Sequence, residues 1–257
     1  MLDLHIHSHF SPDSESRIED IIKKAEKMKL KVIGISDHYD LEDRVPYAYR
    51  VEDMDHYYKA LEFYKENTNK VKFLKGIEVG IQSSINGFED DRFDYFIYSV
   101  HGLPGISDMS NEIVVKDYEK FYRDYFDEML AALEKVHKPG FLGHMDYPRR
   151  YLKGNPEVPK SLYSKVWDIF QILKEKDIGI EINTSNMDRI VFDTLPSYEL
   201  IKEYVRITGG NLITIGSDAH TVNKVGNFSE KVTEMLKDLG IKVIYYCENW
   251  EYSGLMI

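Results

Sequence analysis

Apolar residues along this chain come in short runs, and seven of these runs stop at or next to a histidine or glutamate. Leu2-Asp3-Leu4-His5-Ile6-His7, Val32 to His38, Phe96 to His101, Gly140 to His144 and Leu212 to His220 end on histidine. Phe73 to Glu78 ends on glutamate, and Ile178 to Asn183 carries Glu181. Between the runs, apolar positions recur at helical spacing. Ser16-Arg17-Ile18-Glu19 has the capping-box pattern and predicts a helix to about Lys29, with Ile18, Ile21, Ile22 and Ala25 on one face. Further helices are expected from about Met54 to Glu66 and from about Val114 to Val136. The second of these places Tyr118, Phe121, Tyr122, Tyr125, Met129 and Leu133 at helical intervals before Pro139-Gly140 breaks it. A last helix leads to Val243-Ile244-Tyr245-Tyr246. Strands alternating with helices imply a parallel sheet covered by helices, and no linker or repeat divides residues 1–257. The fold class expected is α/β, a single TIM-like barrel domain.

In barrels of parallel strands the carboxyl ends of the strands carry the active site. The positions of the histidines and glutamates therefore predict a metal-dependent hydrolase. His5 and His7, two residues apart on one strand, share a face, so both imidazoles can grip one ion. Imidazole nitrogen with carboxylate oxygen suits Zn, Mn or Fe better than Ca or Mg. Cys247 is the single cysteine, which excludes an internal disulfide framework and a cysteine-rich zinc site and fits a reducing cytoplasm. A formal net charge of −11 argues against a long nucleic acid as partner. The polar, histidine-bearing start does not read as a signal peptide, and no apolar run approaches the roughly 20 residues of a membrane span. A cytoplasmic protein is expected, with no oligomeric state implied. Asp37 is placed to orient a ligand imidazole or cap a loop, and Glu181, sharing a face with Asn183, to accept a hydrogen bond from behind the ligands. His56 and His137 read as surface residues.

The ordered set His5-Ile6-His7, Ser36-Asp37-His38, Gly76-Ile77-Glu78, His101, Gly143-His144 and Ser217-Asp218-Ala219-His220 resembles the motifs of the polymerase-and-histidinol-phosphatase (PHP) family. The resemblance implies a distorted (β/α)7 barrel holding three divalent ions. Carried over position by position, it assigns His5, His7, Glu78 and Asp218 to the first ion. Glu78, as a bridge, joins His101 and His144 on the second, and Asp13, His38 and His220 take the third. Many members have histidine where this chain has Asp13, whose alternative reading is a turn residue after Pro12. Three ligand carboxylates against three divalent cations leave a net charge of about plus three, which attracts a phosphate.

Phosphate binding calls for arginine, and Arg149, Arg150 and Arg189 follow metal-bearing strands. The stretches around them, with Leu195-Pro196-Ser197, are similar to the stand-alone histidinol-phosphate phosphatase branch. That branch implies hydrolysis of histidinol phosphate, a small phosphate monoester, by a hydroxide held between two ions, with Glu78, Asp218, His9 and Arg150 as catalytic residues. His9, Arg149, Arg150 and Arg189 would contact substrate, with Tyr47, Tyr49 and Asp108 as candidates for its organic end. His9, Asp37 and a water remain alternatives as donor to the leaving group. Competing expectations are a PHP phosphoesterase acting on nucleotides, short oligonucleotides or phosphotyrosine, an amidohydrolase, and a metal-holding barrel without catalysis.

Overall fold

The apolar runs pair side by side as parallel strands. The computed structural model describes residues 1–40, 49–82, 88–103, 114–188 and 193–257. Its strands are β1 (Leu2–Ile6), β2 (Val32–Ile35), β3 (His38–Asp40), β4 (Lys72–Gly80), β5 (Tyr95–Ser99), β6 (Gly140–Leu142), β7 (Gly179–Asn183) and β8 (Ile213–Gly216). The sheet runs β1-β2-β4-β5-β6-β7-β8, with β3 paired to the upper half of β4 so that His38 lies opposite Glu78. Seven strands thus form the path of a distorted (β/α)7 barrel, and β3 continues beyond β2 after a two-residue break. Helices α1 (Ile18–Lys27), α2 (Met54–Asn67), α3 (Tyr118–Leu133), α4 (Tyr163–Glu175), α5 (Tyr198–Thr208) and α6 (Ser229–Asp238) cover it. Each buries one stripe, as Phe121, Tyr122, Tyr125, Met129 and Leu133 do on α3.

Two helix starts differ from expectation. The Ser16 hydroxyl donates to the carbonyl of His220 at 3.3 Å instead of capping, and Glu19 accepts from the Tyr64 hydroxyl. Helix α1 therefore begins at Ile18 without a side-chain cap, because tying the first loop to the last strand outcompetes the local capping box. Helix α3 starts at Tyr118, since Asp117 accepts from the Lys120 amide at 2.9 Å and fixes the first turn there.

The seam between β8 and β1 closes through a bridge, with the His7 amide donating to Ala219 O at 3.0 Å. A register shift in β1 between Asp3 and Ile6 accompanies it. The buried Asp3 carboxylate is the clasp. It accepts from the amide (2.9 Å) and hydroxyl (2.6 Å) of Ser217, the Gly226 amide (2.7 Å) and the His5 amide (3.3 Å). Burial raises its pKa to about 6 in spite of these bonds.

Inside the barrel, the buried Tyr95 hydroxyl donates to Leu4 O at 2.6 Å. Gly34 makes room for it, because a β-carbon there would stand 1.9 Å from the tyrosine oxygen. The final apolar run, expected after the last helix, becomes a hairpin of β9 (Val243–Glu248) and β10 (Glu251–Met256) in a separate antiparallel sheet. It covers the end of the barrel opposite the site. The Tyr252 hydroxyl sits 2.8 Å from the carbonyls of Gly140 and Asp177, and the Trp250 amide donates to Asp94 O, all at the starts of strands.

Replacing Asp3 with alanine strands three buried amides and a hydroxyl. Asp3→Ala is expected to cost about 3 kcal/mol, read as a lower urea midpoint at unchanged slope. An unchanged midpoint would show that the seam does not depend on this carboxylate.

Candidate metal centre

Glu78 on β4 is fully buried at the mouth of the barrel, and five imidazoles approach it. Its Oε2 lies 3.3 Å from His5 Nε2, 3.6 Å from His7 Nε2 and 2.7 Å from His38 Nδ1. Its Oε1 lies 3.1 Å from His101 Nε2 and 3.0 Å from His144 Nε2, and accepts from Ser99 Oγ at 2.6 Å. Asp218 joins the first set, with Oδ1 3.3 Å from His7 Nε2. Asp13 Oδ2 lies 3.0 Å from His220 Nε2 and 3.5 Å from His38 Nε2. All nine side chains carried over as ligands come to this mouth. Three compact groups stand out: His5, His7 and Asp218; His7, His38 and His220; and His38, Glu78 and His101. The His38 ring thus stands between two groups.

Most of these imidazoles are held from behind. His5 Nδ1 pairs with Glu181 Oε1 at 2.7 Å, His101 Nδ1 with Asp40 Oδ1 at 2.9 Å, and His220 Nδ1 with the Asp218 carbonyl at 3.0 Å. His7 Nδ1 lies 3.2 Å from Ser11 Oγ, which in turn donates to Asp37. These bonds keep a proton on Nδ1 and point Nε2 inward, so that once Nε2 gives up its proton its lone pair faces the cluster, the orientation in which histidine ligates a metal. His5 Nε2, His7 Nε2, His38 Nδ1 and Glu78 Oε2 are buried with one another and Asp218 as polar neighbours, and none makes a hydrogen bond of good geometry among the described residues. Buried polar atoms are rarely left unpaired, and this nitrogen–oxygen donor set fits a divalent transition metal. Glu181 reaches His5 because Gly216 faces it; a β-carbon at Gly216 would stand 2.0 Å from Glu181 Oε1. Its other oxygen accepts the His144 amide at 2.9 Å.

Electrostatics follow burial and neighbours. Desolvation opposes charge on His5, yet Glu181, Glu78 and Asp218 raise its pKa well above the usual imidazole range. Desolvation likewise opposes charge on His101, but Asp40 and Glu78 lift it to about 10. His7 is lowered, by desolvation first and then by His220 and His38. Desolvation works against ionised Glu78, but His5, His101 and His38 hold it well below the carboxylate range.

Arginines and the remaining candidates divide. Arg150 donates to Asp218 Oδ2 at 2.9 Å and to Ser185 Oγ, and its guanidinium lies over the Tyr147 ring. Arg149, expected at the substrate, is instead buried against Asp193 (2.7 Å) and Glu157. Consecutive residues of a tight helical turn point in different directions, so the two arginines cannot share a face. His9 is exposed with its ring against Phe10 and joins none of the groups. His9 keeps the parity of His5 and His7, but β1 ends at Ile6, so strand alternation no longer sets its direction. Arg189, Tyr47 and Asp108 lie outside the described residues; the Tyr49 ring is 5.4 Å from His38. Asp40, Ser99 and Ser11 were not anticipated. The first two sit two residues from His38 and His101, and that same-face spacing was a usable signal. Tyr147, against His144, had no such signal.

The sequence profile of the PHP domain matches residues 3–185. The chain belongs to the PHP family. Curated relatives include a probable histidinol-phosphatase of Clostridium acetobutylicum, 32% identical over 257 residues and covering 96% of each chain. Another, of Thermotoga maritima, is 30% identical over 245 residues, covering 95% of this chain and 94% of its own. Among solved structures, the histidinol phosphate phosphatase of Lactococcus lactis subsp. lactis, complexed with zinc, L-histidinol and phosphate, superposes with a TM-score of 0.80 at 25% identity over 98% of both chains. This PHP-domain assignment sets aside the amidohydrolase alternative. No helix among the described residues is long and apolar enough to cross a membrane.

His5, His38 and His101 hold protons that a metal must displace. Zinc added to metal-free protein in weak buffer is expected to acidify the solution, and apparent affinity to fall as pH drops from 8 toward 6. Uptake without proton release would contradict this arrangement.

Proposed function

We propose that this protein is a metal-dependent phosphomonoesterase, a histidinol-phosphatase that converts L-histidinol phosphate to L-histidinol and phosphate. The observation carrying this reading is the buried Glu78 carboxylate addressed by five imidazoles, with Arg150 beside it on Asp218. The curated relatives are named for this activity, and the Lactococcus structure carries zinc, histidinol and phosphate.

Three divalent ions, Zn, Fe or Mn, fit the donor set. His5, His7, Glu78 and Asp218 would hold one, Glu78, His101 and His144 the second, and Asp13, His38 and His220 the third. When bound, such ions lower the pKa of water toward about 7 and neutralise charge on phosphoryl oxygens. The chain's own residues then do the positioning. Glu78 directs one oxygen to each side of the cluster. Glu181, Asp40 and the Ser11–Asp37 pair keep the imidazoles aimed inward. Arg150, permanently charged, presents donors to the equatorial phosphoryl oxygens at the Asp218 edge. A cleft of about 310 Å³ lined by Ser185, Asp188, Asp218, His220, Lys224 and Asn227 opens on the Asp218–His220 side of the cluster and would receive the ester there.

Rates on histidinol phosphate, nucleoside monophosphates and phosphotyrosine, taken on protein of measured metal content, test the reading; preference for either of the latter two would replace it. His101→Ala is expected to lower metal content and cut kcat by about 100-fold or more. Arg150→Ala should keep metal content and raise KM for the phosphate ester by about 10-fold or more. Full activity after exhaustive chelation would refute a metal-dependent reaction.

A further inference from the structure

Arg149 was expected at the substrate, and the structure turns it the other way. Its side chain is 3% exposed and donates to Asp193 Oδ2 at 2.7 Å and to Glu157 Oε1. Neither carboxylate belongs to the metal-binding groups. The two partners are unequal. Glu157 is 59% exposed, where water screens the pair, whereas Asp193 is 23% exposed and is itself fixed by accepting the amides of Thr194 (2.8 Å) and Tyr198 (3.3 Å).

These contacts anchor one short element. Tyr147–Arg150 is a single 3₁₀ turn that follows His144 and carries Arg150. Such turns have poor internal hydrogen bonds, and Pro148 contributes no amide. Tethers to the rest of the protein therefore set its position. Arg149 ties it to the segment after β7, Asp146 Oδ2 accepts the Ser197 amide (3.1 Å) at the start of α5, and Asn155 Nδ2 donates to Arg149 O (2.8 Å). The next residue, Arg150, must reach Asp218 and Ser185 from that turn. A small rotation of the turn would move the Arg150 guanidinium away from both.

We propose that Arg149 is a positioning residue, clamped by Asp193 and Glu157, that fixes the turn presenting Arg150 to Asp218 and to the phosphoryl group. The proposal rests on the phosphatase reading for the identity of that group. Arg149 touches no substrate; it acts only through Arg150.

The test is a double-mutant cycle on metal-loaded protein, read by calorimetric binding of inorganic phosphate and by kcat/KM on histidinol phosphate. Arg149→Met should weaken phosphate binding about 10-fold at unchanged metal content. Arg149→Lys should recover little, since a point charge cannot span two carboxylates. Arg150→Ala should weaken phosphate binding by a larger factor, and Arg149→Met combined with Arg150→Ala should be no weaker than Arg150→Ala alone. Losses that add in full, or a drop in thermal stability with phosphate affinity intact, would overturn the proposal. If Arg149→Met does not fold, Asp193→Asn, which removes only the stronger partner's charge, enters the same cycle with the same expectations. A wild-type protein that binds phosphate but does not hydrolyse histidinol phosphate would defeat the functional reading alone, because the phosphate-binding cycle still decides the role of Arg149.

Discussion

An ionised carboxylate with no exposure to water is the constraint on which this molecule depends. Burying such a charge costs several kcal/mol unless opposite charge surrounds it, and Glu78 has five imidazoles within 3.6 Å. They come from four separate stretches of the chain, at residues 5–7, 38, 101 and 144, so the barrel must be closed before the carboxylate is compensated. Closure at the β8–β1 seam brings His5 and His7 alongside Asp218, and the hairpin of β9 and β10 seals the far end. The same geometry aims ring nitrogens inward at one shared carboxylate, with no hydrogen bond of good geometry for several of them, an arrangement suited to cations and poorly suited to an apolar core.

The supporting residues obey one rule. A strand supplies a ligand, and a different strand or loop supplies the acceptor behind it. Glu181 on β7 serves His5 on β1, Asp40 on β3 serves His101 after β5, and Asp37 after β2 serves His7 through Ser11. Because the acceptors come from other elements, a shift of any one strand disturbs an imidazole as well as the ladder. The site and the fold are therefore specified by the same hydrogen bonds.

Strand ends and ligand types were legible in the sequence because both have a strict local signature. Period-2 alternation places His5 and His7 on one face, and apolar runs that stop at histidine mark one end of a sheet. What was not legible depended on competition between local and distant partners. Ser16 and Glu19 satisfy every local condition for a capping box, yet each bonds to a residue far along the chain. Arg149 and Arg150 are indistinguishable as letters; only the direction of a tight turn separates an anchor from a residue at the site. The last apolar run reads equally as another barrel strand, and the turn at Asn249 and Trp250, both with positive φ, is what folds it back as a hairpin.

Asp218 shows how the two halves of the site are coupled. Its backbone is left-handed (φ 52°), a conformation costly for residues other than glycine, though aspartate tolerates it better than most. Here Ser217, held by Asp3, fixes one side, and the His220 ring, bonded to the Asp218 carbonyl, fixes the other. The strained residue then offers one oxygen to His7 and the other to Arg150. In the proposed reading Arg150 would meet a phosphate with part of its charge already balanced by Asp218, so most of the attraction for an anion would come from cations held at the imidazoles. Arginine at this position would then work chiefly by direction, and direction is the property that a rigid turn, anchored away from the site, can supply.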